Sequence, residues 1–168
     1  LDSRHHPPGA LNIDFFSYPE TEKFDTIIGN PPYVRYQDIP EETKRLLRQD
    51  SFDGRSNLYL FFIEKAVRHL NIGGELIFIT PRDFLKATSA VKLNSWLYEH
   101  GTITHAVELG DARVFSDAIP NCLIWRYELG NFSHRTNCAS IGSGQSLVRL
   151  PPDWSLRWEG KQFLECAG

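Results

Sequence analysis

The 168-residue sequence contains no methionine and opens on leucine, so position 1 is not a translation start and the chain is expected to be cut from something longer. Cysteine is scarce. Cys122, Cys138 and Cys166 are odd in number and widely spaced, which fits neither a disulfide framework nor a zinc site. That usage points to a reducing, cytoplasmic setting. The six histidines are too scattered for a ligand cluster, so no metal is expected. No apolar run approaches the roughly 18 residues of a membrane helix, and no charged n-region with an apolar core opens the chain. A membrane span and a secretory signal are therefore not expected. Neither sign of charge dominates: 18 Lys and Arg against 21 Asp and Glu leave a net charge of −3. The chain thus lacks the basic surplus of a self-sufficient nucleic-acid binder, although a separate part of a longer protein could supply it.

What is present is a packed domain. Apolar residues make up 41% and charged residues 23%, which excludes disorder as the main state. Between residues 24 and 127 strand and helix patterns alternate. Phe24 to Ile28 is a short β-rich run ending at Gly29. Asp38, Pro40 and Glu41 read as a helix start, with the helix running to about Gln49. A second helix opens after Ser56, with Leu60, Ile63, Val67 and Leu70 on one stripe and Tyr59, Phe62 and Ala66 on another, and stops at Asn71 before Gly73-Gly74.

The run from Glu75 to Ile79 reads as a strand covered on both faces. A helix starting at Ser89 ends near Gly101. Ile103, His105, Val107 and Leu109 alternate as a strand, and Cys122 to Tyr127 form another. These last two are joined by Gly110 to Asn121 without helical period, so they are expected to pair antiparallel. A weak strand lies near Ala139 to Ile141, Pro151-Pro152 marks a boundary, and the tail from Trp154 reads as a short helix or the opening of a further domain. The fold class is α/β, with ligands expected at the carboxyl ends of the strands.

Asn30-Pro31-Pro32-Tyr33 follows directly on the first strand. Asn30 brings an acceptor oxygen, Pro31 a carbonyl without a competing N–H, and both prolines fix φ. Two rigid acceptors beside the flat face of Tyr33 suit a planar amino group on a conjugated ring. Such a nitrogen is a poor nucleophile because its lone pair is delocalised. Acceptors that hold both hydrogens out of plane favour a tetrahedral nitrogen and aim the lone pair at an electrophile. The plain alternative is a surface loop in which Pro-Pro ends a strand.

Three further segments accompany this motif in a fixed order: Gly54 to Tyr59 with Phe62 to Ala66, Gly73 to Pro81, and Val114-Phe115 with Asn121 to Ile124. With the tetrapeptide they make residues 10–129 resemble the class I S-adenosylmethionine-dependent DNA adenine-N6 methyltransferases, in particular the gamma-type enzymes of restriction–modification systems. The resemblance implies the C-terminal half of a Rossmann-like sheet, mostly parallel with an antiparallel last pair. Residues 1–130 would be the catalytic half, and 131–168 a trailing segment leading toward a target-recognition domain.

It also implies that the target adenine is flipped out of double-stranded DNA, that Asn30, Pro31 and Pro32 form the amine grip, and that Tyr33 and Phe115 contact the base. Asp14 and Phe15, after an expected strand from Ala10 to Ile13, would meet the adenine of S-adenosylmethionine, with Asn30 also on the cofactor side. Core packing remains open for Phe115, a solvated loop for Asp14, and an N-cap role for Ser56. The family's glycine-rich loop and ribose-binding acid have no counterpart here, so the isolated chain is expected not to methylate. Between Val34 and Arg55, five basic residues (Arg35, Lys44, Arg45, Arg48, Arg55) meet five acidic ones (Asp38, Glu41, Glu42, Asp50, Asp53), so no phosphate-binding patch is expected there. A glutamine- or ribosomal-RNA-directed methyltransferase and an inert scaffold are the rival readings.

Overall fold

In the computed structural model, residues 9–48, 56–109, 122–141, 147–149, 155–159 and 162–166 are described. One six-stranded sheet has the order β1 (Phe24–Gly29), β2 (Leu70–Pro81), β4 (Cys122–Leu129), β3 (Gly101–Glu108), β5 (Asn137–Ile141) and β6 (Leu147–Arg149). β1 is parallel to β2, and β3 to β5, whereas β4 runs antiparallel between β2 and β3. β6 is antiparallel to β5, so four of the six strands share one direction. This is an α/β, Rossmann-like sheet. The antiparallel pairing of β3 with β4 matches the sequence pattern. The insertion of β4 against β2 as well is a long-range choice that the pattern does not contain.

Helix α2 (Leu58–Arg68) is buried on nearly every side, as its two apolar stripes require. Its N-cap is Asn57, whose side chain accepts from the Tyr59 N–H, so Ser56 is not the cap but a buried neighbour. The helix ends at Arg68 rather than Asn71, because β2 already begins at Leu70. Gly73 and Gly74 therefore lie inside a strand. Gly73 sits at φ +83, where the β1–β2 register shifts between Phe24 and Thr26, and only glycine takes that backbone without strain. From Gly74 onward β2 is buried at Leu76, Phe78 and Thr80 and half-buried at Ile77 and Ile79, so one face is sealed and the other only partly covered.

Helix α3 (Val91–His100) follows a 3-10 turn at Thr88–Ala90, which takes the place of the expected start at Ser89. Arg68 of α2 lies over Trp96 of α3, 5.1 Å from the ring centroid, so the two helices sit side by side. Beneath them Trp125 and Tyr127 of β4 are fully buried. Trp125 donates its indole N–H to Thr80 Oγ1 at 2.9 Å, and Tyr127 its hydroxyl to the Leu97 carbonyl at 2.9 Å. Buried Asn94 ties Phe84 and Leu85 to α3 by donating to both carbonyls.

Four other expectations are corrected. The helix after Pro40 is only α1 (Glu41–Lys44), with Pro40 as its cap residue and Asp38 in a preceding 3-10 turn. Ala10 to Ile13 is irregular chain, because it pairs with no strand among the described residues. In β3 the alternation breaks: a bulge between Ile103 and His105 leaves Ile103 and Ala106 buried and His105 exposed. In place of a short helix, the described residues of the tail form a two-stranded antiparallel ribbon of β7 (Ser155–Glu159) and β8 (Gln162–Cys166). Pro151-Pro152 lies outside the described residues. Among the described residues no helix is long and apolar enough to cross a membrane.

Candidate active site

The carboxyl ends of β1, β2 and β3 lie at one edge of the sheet, and β4 starts there. β1 ends at Gly29, where a Cβ would lie 2.9 Å from the Phe78 ring; the missing side chain lets that ring sit under the strand tip. Asn30 projects beyond it and is exposed, Pro31 is buried, Pro32 exposed and Tyr33 half-buried. The Val34 carbonyl accepts the Leu58 N–H at 2.9 Å, which ties the motif to the first turn of α2. Among the described residues nothing hydrogen-bonds the Asn30 carboxamide, so its oxygen and both N–H groups are available to a ligand.

Tyr33 is held at its far end. Its hydroxyl donates to the Ile79 carbonyl at 2.9 Å, and its ring meets Tyr59 edge-on at 5.9 Å between centroids. Burial, with a contribution from the nearby Cys122 thiol, pushes the Tyr33 phenol far above its ordinary range, so it stays a protonated donor. Burial, then Asp83, pushes Tyr59 up to about 12. An ion pair between Arg82 and Glu108 joins the ends of β2 and β3 at the same edge. The sequence shows Tyr59 in an apolar stripe and Cys122 in a strand, both within segments of the family resemblance, and nothing local connects either to Tyr33.

Asp14 caps the 3-10 turn Phe15–Ser17: its Oδ1 accepts the Phe16 N–H at 2.8 Å, and its Oδ2 accepts from Thr43 Oγ1 at 3.3 Å. Phe15 stacks on Phe62 of α2 at 5.2 Å, and Phe16 meets the same ring edge-on at 4.8 Å. Ile13 and Phe15, on either side of Asp14, line an open groove of about 550 Å³ that continues along Phe24, Ile27 and Ile28 to His69. Its walls are apolar and Asp14 is exposed beside it. Such a donor set fits the flat adenine end of a nucleoside, since a carboxylate with spare lone pairs accepts from an exocyclic amine.

No hydrogen bond or ring contact joins Asp14 or Phe15 to Asn30 among the described residues; both groups rest instead on α2. Phe115, Gly54, Arg55, Val114 and Asn121 lie outside the described residues. Ser56 donates weakly to the Ser89 carbonyl at 3.5 Å. Among the described residues no group of three His, Cys, Asp or Glu side chains could hold a metal ion.

Comparison with known proteins gives a consistent result. A family model described as Eco57I restriction-modification methylase matches residues 9–115. The chain is 30% identical over 141 residues to the type II methyltransferase M.HincII of Haemophilus influenzae, covering 81% of this chain and 28% of that protein. It is 30% identical over 168 residues to the type II methyltransferase M.TthHB8I of Thermus thermophilus, covering 94% and 35%. In structure it resembles the methyltransferase subunit of a type I restriction-modification system from Streptococcus thermophilus, with TM-score 0.60 and 16% identity over 91% of this chain and 32% of that one. The chain thus spans about a third or less of the length of these relatives.

Proposed function

The chain belongs to the Eco57I restriction-modification methylase family, and from that premise we propose that it carries the amine-acceptor half of an enzyme that methylates the N6 amine of adenine in double-stranded DNA. The observation that carries this reading is the Asn30–Tyr33 turn: an exposed carboxamide and a proline carbonyl at a strand tip, beside an aromatic ring held from behind by the Ile79 carbonyl.

S-adenosylmethionine supplies, when bound, a methyl group on a positively charged sulfur. Asp14 and Phe15 would hold its adenine end, with Asn30 on the cofactor side of the acceptor. The chain's own residues prepare the acceptor. The Asn30 oxygen and the Pro31 carbonyl accept the two amine hydrogens and draw the nitrogen toward tetrahedral geometry, while Pro32 stiffens the turn. With the lone pair so aimed, the amine would accept the methyl group that the bound cofactor would supply, the sulfur leaving as a neutral thioether. The resulting cationic nitrogen stays hydrogen-bonded to the same two oxygens until it releases a proton to water. These acceptors favour the transition state because they meet charge that appears only as the bond forms.

An N6 amine inside a base pair is out of reach, so the adenine must leave the stack. Stacking on Tyr33 is worth about 1–3 kcal/mol, comparable with the few kcal/mol that flipping costs. Phe115 would contact the base from a second side. The stretch from Val34 to Arg55 is charge-neutral, so DNA phosphates would be met by other parts of a longer protein. Residues 131–168 would finish the sheet edge and lead toward target recognition.

Tyr33→Phe removes the bond to Ile79 and the weaker contact with the Cys122 thiol, and is expected to lower transfer by no more than about tenfold, in keeping with the loss of neutral hydrogen bonds alone. Tyr33→Ala removes the stacking plate and should weaken productive DNA binding by about 10- to 100-fold. Steady-state kinetics of both variants check the difference. The acceptor is identified by incubating the full-length protein with tritiated cofactor and DNA, RNA or release factor. N6-methyladenine in DNA is expected. Label in glutamine, RNA or another base would overturn the reading, and DNA methylation by the isolated chain would refute the division into halves.

A further inference from the structure

α2 is an apolar helix with a lysine inside it. Lys65 is 9% exposed, and an ammonium so placed is costly unless hydrogen-bonded. Its Nζ donates to the carbonyls of Phe16 and Tyr18, each at 2.7 Å, and lies 5.7 Å from the centroid of the Phe15 ring. Both acceptors belong to the turn that Asp14 caps. Phe62, one helical turn earlier, packs against Phe15 and Phe16. Tyr59, six residues before Lys65 and about 9 Å away at 1.5 Å per residue, touches Tyr33. One rigid helix therefore holds the Asp14 turn near one end and the Tyr33 ring near the other.

We propose that Lys65 is a positioning residue for the cofactor: through two backbone carbonyls it fixes the turn that presents Asp14 and Phe15, and so sets how tightly the adenine end is held. The inference rests on the reading of Asp14 and Phe15 as the adenine site. A neutral packing role would not need a charged donor, since leucine or methionine would fill the same space. Two charge-assisted bonds to one short turn do what packing does not: they fix the turn's register along α2.

The test uses the full-length protein. Lys65→Gln, which reaches one carbonyl and loses the charge, is expected to weaken S-adenosylmethionine binding, measured calorimetrically, by roughly tenfold. The single-turnover rate at saturating cofactor and the KM for DNA should stay within about threefold. Amide exchange at residues 15–18 should accelerate while β2 and β4 stay protected. Lys65→Arg, which keeps the charge and can still donate to both carbonyls, should recover most of the affinity, and Lys65→Met, which keeps the packing and loses both bonds, carries the same test if the glutamine variant does not fold. Unchanged exchange at 15–18, or a fall in turnover with unchanged cofactor affinity, overturns the proposal. Asp14→Ala separates the two layers. If it weakens cofactor binding and Lys65→Gln does not, the lysine inference fails alone; if neither does, the adenine-site reading fails with it.

Discussion

Asn30→Ala in the full-length protein lowers the single-turnover rate of methyl transfer by about 10²–10³ or more, the loss expected when one preorganised polar partner of a transition state is removed. The chemistry sets the size of the effect. Alanine removes one of the two acceptors for the amine hydrogens and leaves the Pro31 carbonyl alone, so the nitrogen stays closer to planar and its lone pair stays in the ring. The structure predicts that this loss is separable from unfolding. Asn30 is exposed and its side chain makes no hydrogen bond among the described residues, so stability should change by no more than about 0.5 kcal/mol. Asn30→Asp keeps an acceptor oxygen at the same place and should retain more activity than alanine. Rapid-quench transfer of a tritiated methyl group, run beside a thermal melt, checks all three statements. A wild-type rate for the alanine variant would remove the basis of the proposed function.

The second large effect concerns the fold. Trp125→Ala is expected to cost about 3–5 kcal/mol through the cavity it opens, a large part of the 5–15 kcal/mol by which a domain is stable. Trp125 is fully buried in the central strand β4, with Phe84 at 5.0 Å and Phe78 edge-on at 6.3 Å between ring centroids. Its removal also strips buried Thr80 of the indole N–H it accepts from. Trp125→Phe keeps the packing and loses mainly that bond, so it should fall well short of the alanine cost. Urea denaturation followed by circular dichroism distinguishes them: a midpoint near wild type for Trp125→Ala would mean that β4 is not the central support of the sheet.

Much of this was readable in advance because it is local. The helical period of Leu60, Ile63 and Val67 reports a buried helix, the apolar run Leu76 to Ile79 a strand, and Asn-Pro-Pro-Tyr at a strand tip a rigid pair of acceptors. The errors sit where a neighbour distant in sequence decides. Ile103, His105 and Val107 alternate along the sequence, but a bulge against β4 breaks that alternation and leaves His105 exposed. Gly73-Gly74 reads as a break between elements, yet both lie inside β2, at the irregularity where its register with β1 shifts. Alternation in the tail is too weak to tell a ribbon from a short helix.

The amino-acid order by itself determined where β1, α2, α3 and β4 lie, that β3 and β4 pair antiparallel, and where the polar motif sits. Side-chain periodicity records burial, and burial is what these elements are selected for. Only the tertiary structure decided that β4 enters between β2 and β3, that the Ile79 carbonyl 46 residues away holds Tyr33, and that Lys65 seeks carbonyls 47 and 49 residues upstream. Those partners are backbone oxygens, which every residue carries alike, so nothing in the identity of the amino acids marks them. They become specific only when the chain has folded and brings them within hydrogen-bond reach.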